Sequence, residues 1–194
     1  MAKRIIGLTG GIATGKTTIA NYLAKKYNLL ILDADIYARD AVVVGSYILK
    51  MIVQRYGKQI LLIDGNLNRK KLGDIIFHHS EERFYIENLI HPYVHDCFLE
   101  QIQQSSEKIL ILVVPLLFES GMSNLATEIW VVFCNRQQQL TRLTQHNQLT
   151  IDEAQVRIDS QIPLSEKMNL ADVVLENNLD LGELYTQIDQ ALFI

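Results

Sequence analysis

A run close to the amino terminus, Ile5-Ile6-Gly7-Leu8-Thr9-Gly10-Gly11-Ile12-Ala13-Thr14-Gly15-Lys16-Thr17-Thr18, constrains the fold more than any other part of the chain. It reads as an apolar strand, a glycine-rich turn, then a lysine and hydroxyls opening a helix, which is the arrangement of a phosphate-binding P-loop. Glycines allow a tight path whose backbone N–H groups turn inward around an anion. The following helix offers its own unpaired N–H groups to the same charge. The cradle is then Gly11, Ile12, Ala13, Thr14, Gly15, Lys16, Thr17 and Thr18, with Lys16 reaching the outer phosphates of a nucleotide such as ATP and the Thr17 hydroxyl set for a phosphate-bound magnesium ion.

Such a loop belongs between a strand and a helix, and five strand candidates are visible: Arg4 to Thr9, Leu29 to Asp33, Ile109 to Val114, Ile129 to Phe133 and Val173 to Glu176. They are rich in Ile, Leu and Val and lack clean alternation, as expected of strands covered on both faces in a parallel sheet. A helix from about Thr17 to Tyr27 joins the first two, giving the right-handed crossover unit of an α/β fold. The final helix, Leu181 to Leu192, carries Leu181, Leu184, Ile188 and Leu192 along one stripe for packing on the sheet.

Two excursions interrupt this pattern. Residues 36–107 read as mainly helical and strand-free, with Pro92 limiting one helix and Gly45, Gly57, Gly65 and Gly73 supplying turns or joints. Residues 135–170 read as helices from Gln137 to Gln145 and from Ile151 to Ser160, the second opened by a Thr150 and Glu153 capping box. Excursions of this kind usually stand over the carboxyl edge of the sheet, where α/β proteins hold their ligands. With 194 residues and 48% hydrophobic content, the chain is long enough for one substantial core and a small appended subdomain.

Eighteen basic residues against 22 acidic give a net charge of −4, which provides no global attraction for nucleic acid or an anionic membrane. No apolar run reaches the ~20 residues that cross a bilayer. Cys97 and Cys134 are far apart and lack metal-motif spacing, so reduced thiols in a cytoplasmic protein are expected. The amino terminus runs directly into the P-loop strand, and a removable leader is not expected there.

Phosphate transfer needs an activated acceptor as well as a phosphate cradle. Leu30-Ile31-Leu32-Asp33-Ala34-Asp35 ends the second strand with two carboxylates. Asp33 suits support of the metal or its water shell, and Asp35 suits orienting and deprotonating an acceptor hydroxyl, though spacing alone leaves open which of the two is the base. Arg39 lies about one helical turn past Asp35. Arg69 is a candidate for gripping an acceptor phosphate, and Arg142 for approaching the ATP phosphates with Arg157 and Lys167 as supplements, since the guanidinium fork matches phosphate oxygens. The third strand ends in Val114-Pro115 without the aspartate of an ATPase, and Cys134-Asn135-Arg136 follows the fourth where a GTPase carries its guanine-reading motif. These absences favour a compact kinase.

In the order and spacing of these and further motifs the chain resembles the dephospho-coenzyme A kinases, over nearly its whole length. The resemblance rests on the P-loop run, Asp33-Ala34-Asp35-Ile36-Tyr37-Ala38-Arg39, Leu67-Asn68-Arg69-Lys70-Lys71-Leu72-Gly73 with Phe77, and Ile90-His91-Pro92. It continues through Pro115-Leu116-Leu117-Phe118-Glu119, Arg142-Leu143, Ala154, Arg157-Ile158, Gln161, Lys167 and Ala171-Asp172-Val173-Val174 with Asn177. It implies ATP-dependent phosphorylation of the ribose 3'-hydroxyl of dephospho-coenzyme A, with magnesium, as the last step of coenzyme A synthesis. It also implies a P-loop nucleoside triphosphate hydrolase-like three-layer α/β fold with a parallel five-stranded sheet. Its parts would be a nucleotide-binding core of residues 1–35, 108–134 and 171–194, a helical acceptor-binding region of residues 36–107, and a lid of residues 135–170. Asp35 would be the base. Arg39, Arg69 and His91 would lie on the acceptor side, with Pro92 fixing the backbone and Leu116, Leu117 and Glu119 forming floor and polar edge. Asn177 would lie near the adenine. A monomer is expected, with weak self-association left open.

The sequence also admits two rival readings: another small-molecule P-loop kinase, and a nucleotide-dependent regulatory module that transfers nothing. The chain also departs from the family pattern. Ala13 replaces a glycine, which alanine tolerates at negative φ; His95 and His146 stand at usual arginine positions, and Asn147-Gln148 replaces an acidic residue and glycine. A neutral histidine lacks arginine's permanent charge, so a weaker or more pH-dependent phosphate grip is expected in the lid, carried mainly by Arg142. His146→Arg should therefore lower the ATP Michaelis constant more at pH 8 than at pH 6, and equal constants for parent and variant at both values would rule this out.

Overall fold

The structure, a computed structural model, describes residues 3–147, 149–178 and 180–193, leaving out the side chains of residues 146 and 147. In chain order its elements are β1 (Arg4–Gly10), α1 (Lys16–Tyr27), β2 (Leu30–Asp33), α2 (Ala34–Asp40), α3 (Tyr47–Tyr56), α4 (Arg69–His78), α5 (Ser80–Gln104), β3 (Ile109–Val113), β4 (Glu128–Phe133), α6 (Arg136–Asn147), α7 (Ile151–Asp159), α8 (Leu164–Asn169), β5 (Val173–Glu176) and α9 (Leu181–Leu192). They form two compact units, Met1–Asp33 with Ser105–Ile194, and Ala34–Gln104.

The first unit is built on a five-stranded sheet of order β2-β3-β1-β4-β5, in which every pairing is parallel. Lying between β3 and β4, β1 is buried from Ile5 through Gly10, the continuous apolar run that a doubly covered strand requires. At the edge, β5 does alternate: Leu175 is buried while Val174 and Glu176 are exposed, because an edge strand is covered less completely. Ile19 and Leu23 of α1 join Leu184, Ile188, Ala191 and Leu192 of α9 around Ile6, Leu8 and Trp130 in one core. Leu181, expected on that stripe, is instead 53% exposed in the opening turn of α9, before the helix reaches the core.

Polar links fix α9 in place. Asp189 accepts hydrogen bonds from Tyr22 Oη (2.8 Å), Tyr27 Oη (2.7 Å) and Lys26 Nζ (2.7 Å), while Tyr22 stacks on Tyr185 with centroids 4.0 Å apart. Burial alone would raise the Asp189 carboxyl, but the hydrogen bonds from Lys26, Tyr27 and Tyr22 hold it below its ordinary value. Arg4 on β1 pairs with Glu128 on β4 at 2.9 Å and donates to the terminal carbonyls of α9 at Ala191 and Leu192.

The second unit is helical, with its own core of Ala41, Val42, Ile48, Leu49, Ile52, Ile60, Leu67, Leu72 and Ile86. Two expectations fail in it. Pro92 does not limit a helix but lies inside α5, where it withholds a hydrogen bond from the Asn88 carbonyl; both residues are exposed, so water can satisfy that group, and burial of Ile86, Val94 and Phe98 holds the helix on either side. Gly73 is not a turn but sits within α4, where an added Cβ would meet open space. Gly45, Gly57 and Gly65 do hold positive φ at turns.

Across this unit, Arg55 of α3 clasps Glu82 of α5 with bonds of 2.7 and 2.9 Å, Tyr56 Oη donates to the same carboxylate, and the Arg55 guanidinium lies 4.1 Å from the Tyr85 ring centroid. The hydrogen bonds from Arg55 and Tyr56 draw the Glu82 carboxyl down from 4.5 to about 2. A depressed folded-state value means that this stabilisation is fully present above the unfolded value and is lost as pH falls toward 2. Glu82→Gln should consequently be less stable than the parent at pH 7 in urea unfolding, with a gap that closes by about pH 2. A gap independent of pH would show that the carboxylate charge is not what ties α3 to α5.

Candidate active site

The glycine loop leaves β1 at Gly10 and enters α1 at Lys16, and the residues around it explain each of its glycines. An added Cβ at Gly10, whose φ is 149°, would run into the Val132 carbonyl of β4. At Gly15, φ is 107° and the Asn177 side-chain amide occupies the space a Cβ would need. Gly11 does not have positive φ. It is small because Gln139 Nε2 lies 2.6 Å from where its Cβ would stand. Ala13 has φ of 58°, in the left-handed region. The condition under which alanine would fit, a negative φ, is not met, and alanine bears a steric cost that glycine would avoid.

Every loop has as many carbonyls as N–H groups, and an anion is repelled by the carbonyls. Here side chains from other elements hold them. Gln139 Nε2 of α6 donates to Ile12 O at 2.8 Å, Arg142 Nη1 donates to Ala13 O at 3.1 Å and to Thr14 O at 3.2 Å, and Asn177 Nδ2 donates to Thr14 O at 2.7 Å. Lys16 Nζ reaches Gly11 O at 2.7 Å and Gly10 O at 3.3 Å, and the buried Thr14 hydroxyl donates to Gly11 O at 2.9 Å. As N-cap of α1, Gly15 brings no side-chain acceptor to the first-turn N–H groups, and Thr17 is exposed beside them. Carbonyls held from outside, a lysine beside them and a helix N-terminus without a side-chain cap are what a site for a polyphosphate needs.

Arg142, expected at the ATP phosphates, thus donates to loop carbonyls and, through Nη2, to Asn177 O at 3.0 Å. Asn177, expected by the adenine, is 5% exposed and gives its amide to the loop. Lys167, expected as a phosphate supplement, is fully buried: its Nζ pairs with Glu119 at 2.8 Å and approaches Pro115 O at 3.4 Å. Glu119 therefore balances Lys167 and also accepts the Ile162 N–H at 3.3 Å. Leu117 is fully buried, Leu116 half-buried, and Arg157 exposed on α7. Cys134 is a buried free thiol pushed up by its burial. It lines a cavity of about 270 Å³ with Phe133, Gln139, Ile158, Gln161 and Gly11.

Asp33 is the last residue of β2, in register with Val113 of β3. In the second unit, Asp35 is exposed in the first turn of α2 and Arg39 is exposed in its last. Arg69 opens α4 and donates from Nη2 to Arg39 O at 3.3 Å, which brings these two arginines together. His91 is half-buried on α5, and His95 Nδ1 lies 3.6 Å from Asp96. The His146 side chain and Gln148 lie outside the described residues. Among the described residues no cluster of three or more His, Cys, Asp or Glu could hold a metal by itself. Gln139, and the part Gln161 plays at the loop, were not legible in the sequence: no motif spacing links them to the P-loop.

A glycine-loop cradle at the carboxyl end of the middle strand of a parallel 2-3-1-4-5 sheet defines a P-loop kinase-like protein. A shikimate kinase from Acinetobacter baumannii shares that fold, with a TM-score of 0.55 at 13% identity over 98% of this chain and 91% of that one. The profile of the dephospho-CoA kinase family matches residues 4–183, and the chain belongs to that family. Relatives named dephospho-CoA kinase include one from a Nostoc species, 60% identical over 99% of this chain and 98% of its own length, and one from a Synechocystis species, 51% identical over 97% and 94%. Among solved structures, dephospho-CoA kinase from Campylobacter jejuni has a TM-score of 0.72 at 27% identity, covering 98% of this chain and 96% of that one. A protein from Thermus thermophilus reaches 0.84 at 27% identity, covering 100% and 98%.

The crowding at Gly15 sets a sharp test. Gly15→Ala adds both a left-handed alanine and a clash with Asn177, and should weaken ATP binding by more than about tenfold. Adding Asn177→Ala should remove the clash but leave the backbone cost, restoring part of the affinity in a calorimetric titration. Full restoration would mean that the φ of 107° carries no cost.

Proposed function

We propose that this chain transfers the γ-phosphoryl group of ATP to the ribose 3'-hydroxyl of dephospho-coenzyme A, giving coenzyme A and ADP in the final step of coenzyme A synthesis. The observation that carries the reading is the cradle with its carbonyls held by outside donors, on a chain whose family is defined by this reaction. Cradle N–H groups of Ala13, Gly15, Lys16 and Thr17 hold the β- and γ-phosphates, those of Thr14 and Thr18 being bonded to Gly11 O and Gly15 O, and Lys16 leaves the loop carbonyls to offset the charge that develops as the phosphoryl group moves. Arg142 and Asn177 shape the adjoining nucleotide surface.

Asp35 accepts the proton of the attacking hydroxyl as its oxygen bonds to phosphorus and the bond to ADP breaks. It stands two residues beyond Asp33, so the chain itself keeps its Cα within about 7 Å of the end of β2. Arg39, Arg69 and His91 bind the acceptor's phosphates from residues 36–107, and residues 135–170 act as the lid that excludes water. Leu116, half-buried, supplies the floor of the acceptor site, whereas the fully buried Leu117 has no surface to offer it. Magnesium fits the donor set: Thr17 and Asp33 offer only hard oxygens, and with no protein cluster able to cage an ion among the described residues, they would hold one together with nucleotide phosphates. Bound there, it would neutralise phosphate charge. We place the protein in the cytoplasm as a monomer that binds neither nucleic acid nor membrane; no helix among the described residues is long and apolar enough to cross one.

Coupled ADP release should be seen with dephospho-coenzyme A and not with shikimate, simple sugars or nucleosides. Asp35→Asn should retain ATP affinity while turnover falls by on the order of a hundredfold. Near-normal turnover would move the base role to Asp33 or remove it, and ATP binding without transfer to any acceptor would overturn the kinase assignment for this chain.

A further inference from the structure

Ile12 is gripped on both of its backbone polar groups by glutamines from outside the loop. Gln161 Oε1 accepts the Ile12 N–H at 2.8 Å, and Gln139 Nε2 donates to the Ile12 carbonyl at 2.8 Å. Gln139 is 4% exposed. Its amide packs where Gly11 lacks a Cβ, so the loop makes room for this contact although the backbone at Gly11 does not itself demand glycine.

A peptide unit is planar and trans, so the carbonyl of one residue and the N–H of the next point in opposite directions. With its carbonyl turned to Gln139, Ile12 sends the Ala13 N–H the other way. With its N–H turned to Gln161, it sends the Gly11 carbonyl toward Lys16, where that bond is found at 2.7 Å. The arrangement has an opponent within the loop. Ala13 sits at φ of 58°, and a half-turn of the Ile12–Ala13 peptide would carry it to about −120°, out of the positive-φ region that is costly for alanine. The same half-turn would point the Ile12 carbonyl into the cradle and the Ala13 N–H out of it.

We propose that Gln139 and Gln161 are positioning residues that hold the Ile12 peptide groups against the strain of Ala13, keeping the Ala13 N–H aimed at the nucleotide phosphates. This deepens the reading of the loop as a triphosphate cradle and rests on it. Residues from the segment assigned as the lid thereby set the state of the phosphate site before any acceptor binds. A chain with glycine at position 13 would need the clamp less, because glycine occupies both φ regions with little preference.

The test is a double-mutant cycle read by calorimetric titration of ATP alone, with thermal unfolding of each variant as a control. Gln139→Leu, similar in size, should weaken ATP binding on the order of tenfold in the parent. In the Ala13→Gly background the loss should be smaller by a factor of about three or more, since the bias toward the flipped peptide is gone. Gln161→Leu should act in the same direction. Unchanged ATP affinity in Gln139→Leu, or an equal loss in both backgrounds, would overturn the clamp and leave a structural role. If Gln139→Leu does not fold, Gln139→Glu exchanges the donor for an acceptor at constant size and must show the same dependence on Ala13. A parent that binds no ATP overturns the cradle and the clamp together, whereas a parent that binds ATP with Gln139→Leu unchanged overturns the clamp only.

Discussion

The feature on which the rest depends is that the loop cannot turn its N–H groups toward an anion without turning its carbonyls somewhere else. In a helix or sheet those carbonyls find backbone partners; in a six-residue turn between Gly10 and Gly15 they have few. The chain supplies the missing donors from far along the sequence: Gln139 and Arg142 on α6, and Asn177 just past β5. The last strand and the excursion before it therefore hold the glycine loop as much as they extend the sheet. Gly11 and Gly15 are small for the same reason, since each leaves room for one of these side chains.

Much of the scaffold was legible because its signals are local. Apolar runs marked all five strands to within a residue or two at each end, and the Thr150 and Glu153 capping box forms as read. The failures have a common origin in tertiary context. Pro92 forbids one hydrogen bond in α5, but the packing of Ile86, Val94 and Phe98 outweighs that loss. Leu181 has the right period for the stripe on α9, yet its turn lies before the core begins. Periodicity reports which face is apolar and says little about how far the core extends along it.

The site was legible in the opposite proportion. A motif announces the loop residues, because glycine, lysine and threonine at fixed offsets have no common alternative reading. Its supporting residues carry no such sign. Gln139 and Ile12 are separated by 127 positions and Gln161 and Ile12 by 149, and glutamine is among the least diagnostic of residue types. Charge matching did find Arg142, but it suggested phosphate as the partner where the structure shows carbonyls. The guanidinium offers several donors in one plane, so contact with Ala13, Thr14 and Asn177 carbonyls still places a positive charge behind the loop.

Lys167 and Glu119 show how a charge can be read correctly as a type and wrongly as a role. As a lysine in the second excursion, Lys167 resembles another phosphate ligand, and Glu119 after β3 resembles the polar edge of a pocket. Burial decides against the first: an ammonium with no exposed surface needs an anion at hand, and Glu119 provides it at 2.8 Å. Removing either partner would leave the other desolvated or unpaired, so the pair ties the turn after β3 to α8. Through the Pro115 carbonyl, which takes bonds from both Lys167 and Thr9, the tie reaches β1 one residue before the loop begins. The excursion after β4 is thus joined to β1 at its end and to the glycine loop at Ile12, so a change in its position acts on the loop through backbone groups as well as through any charge it carries.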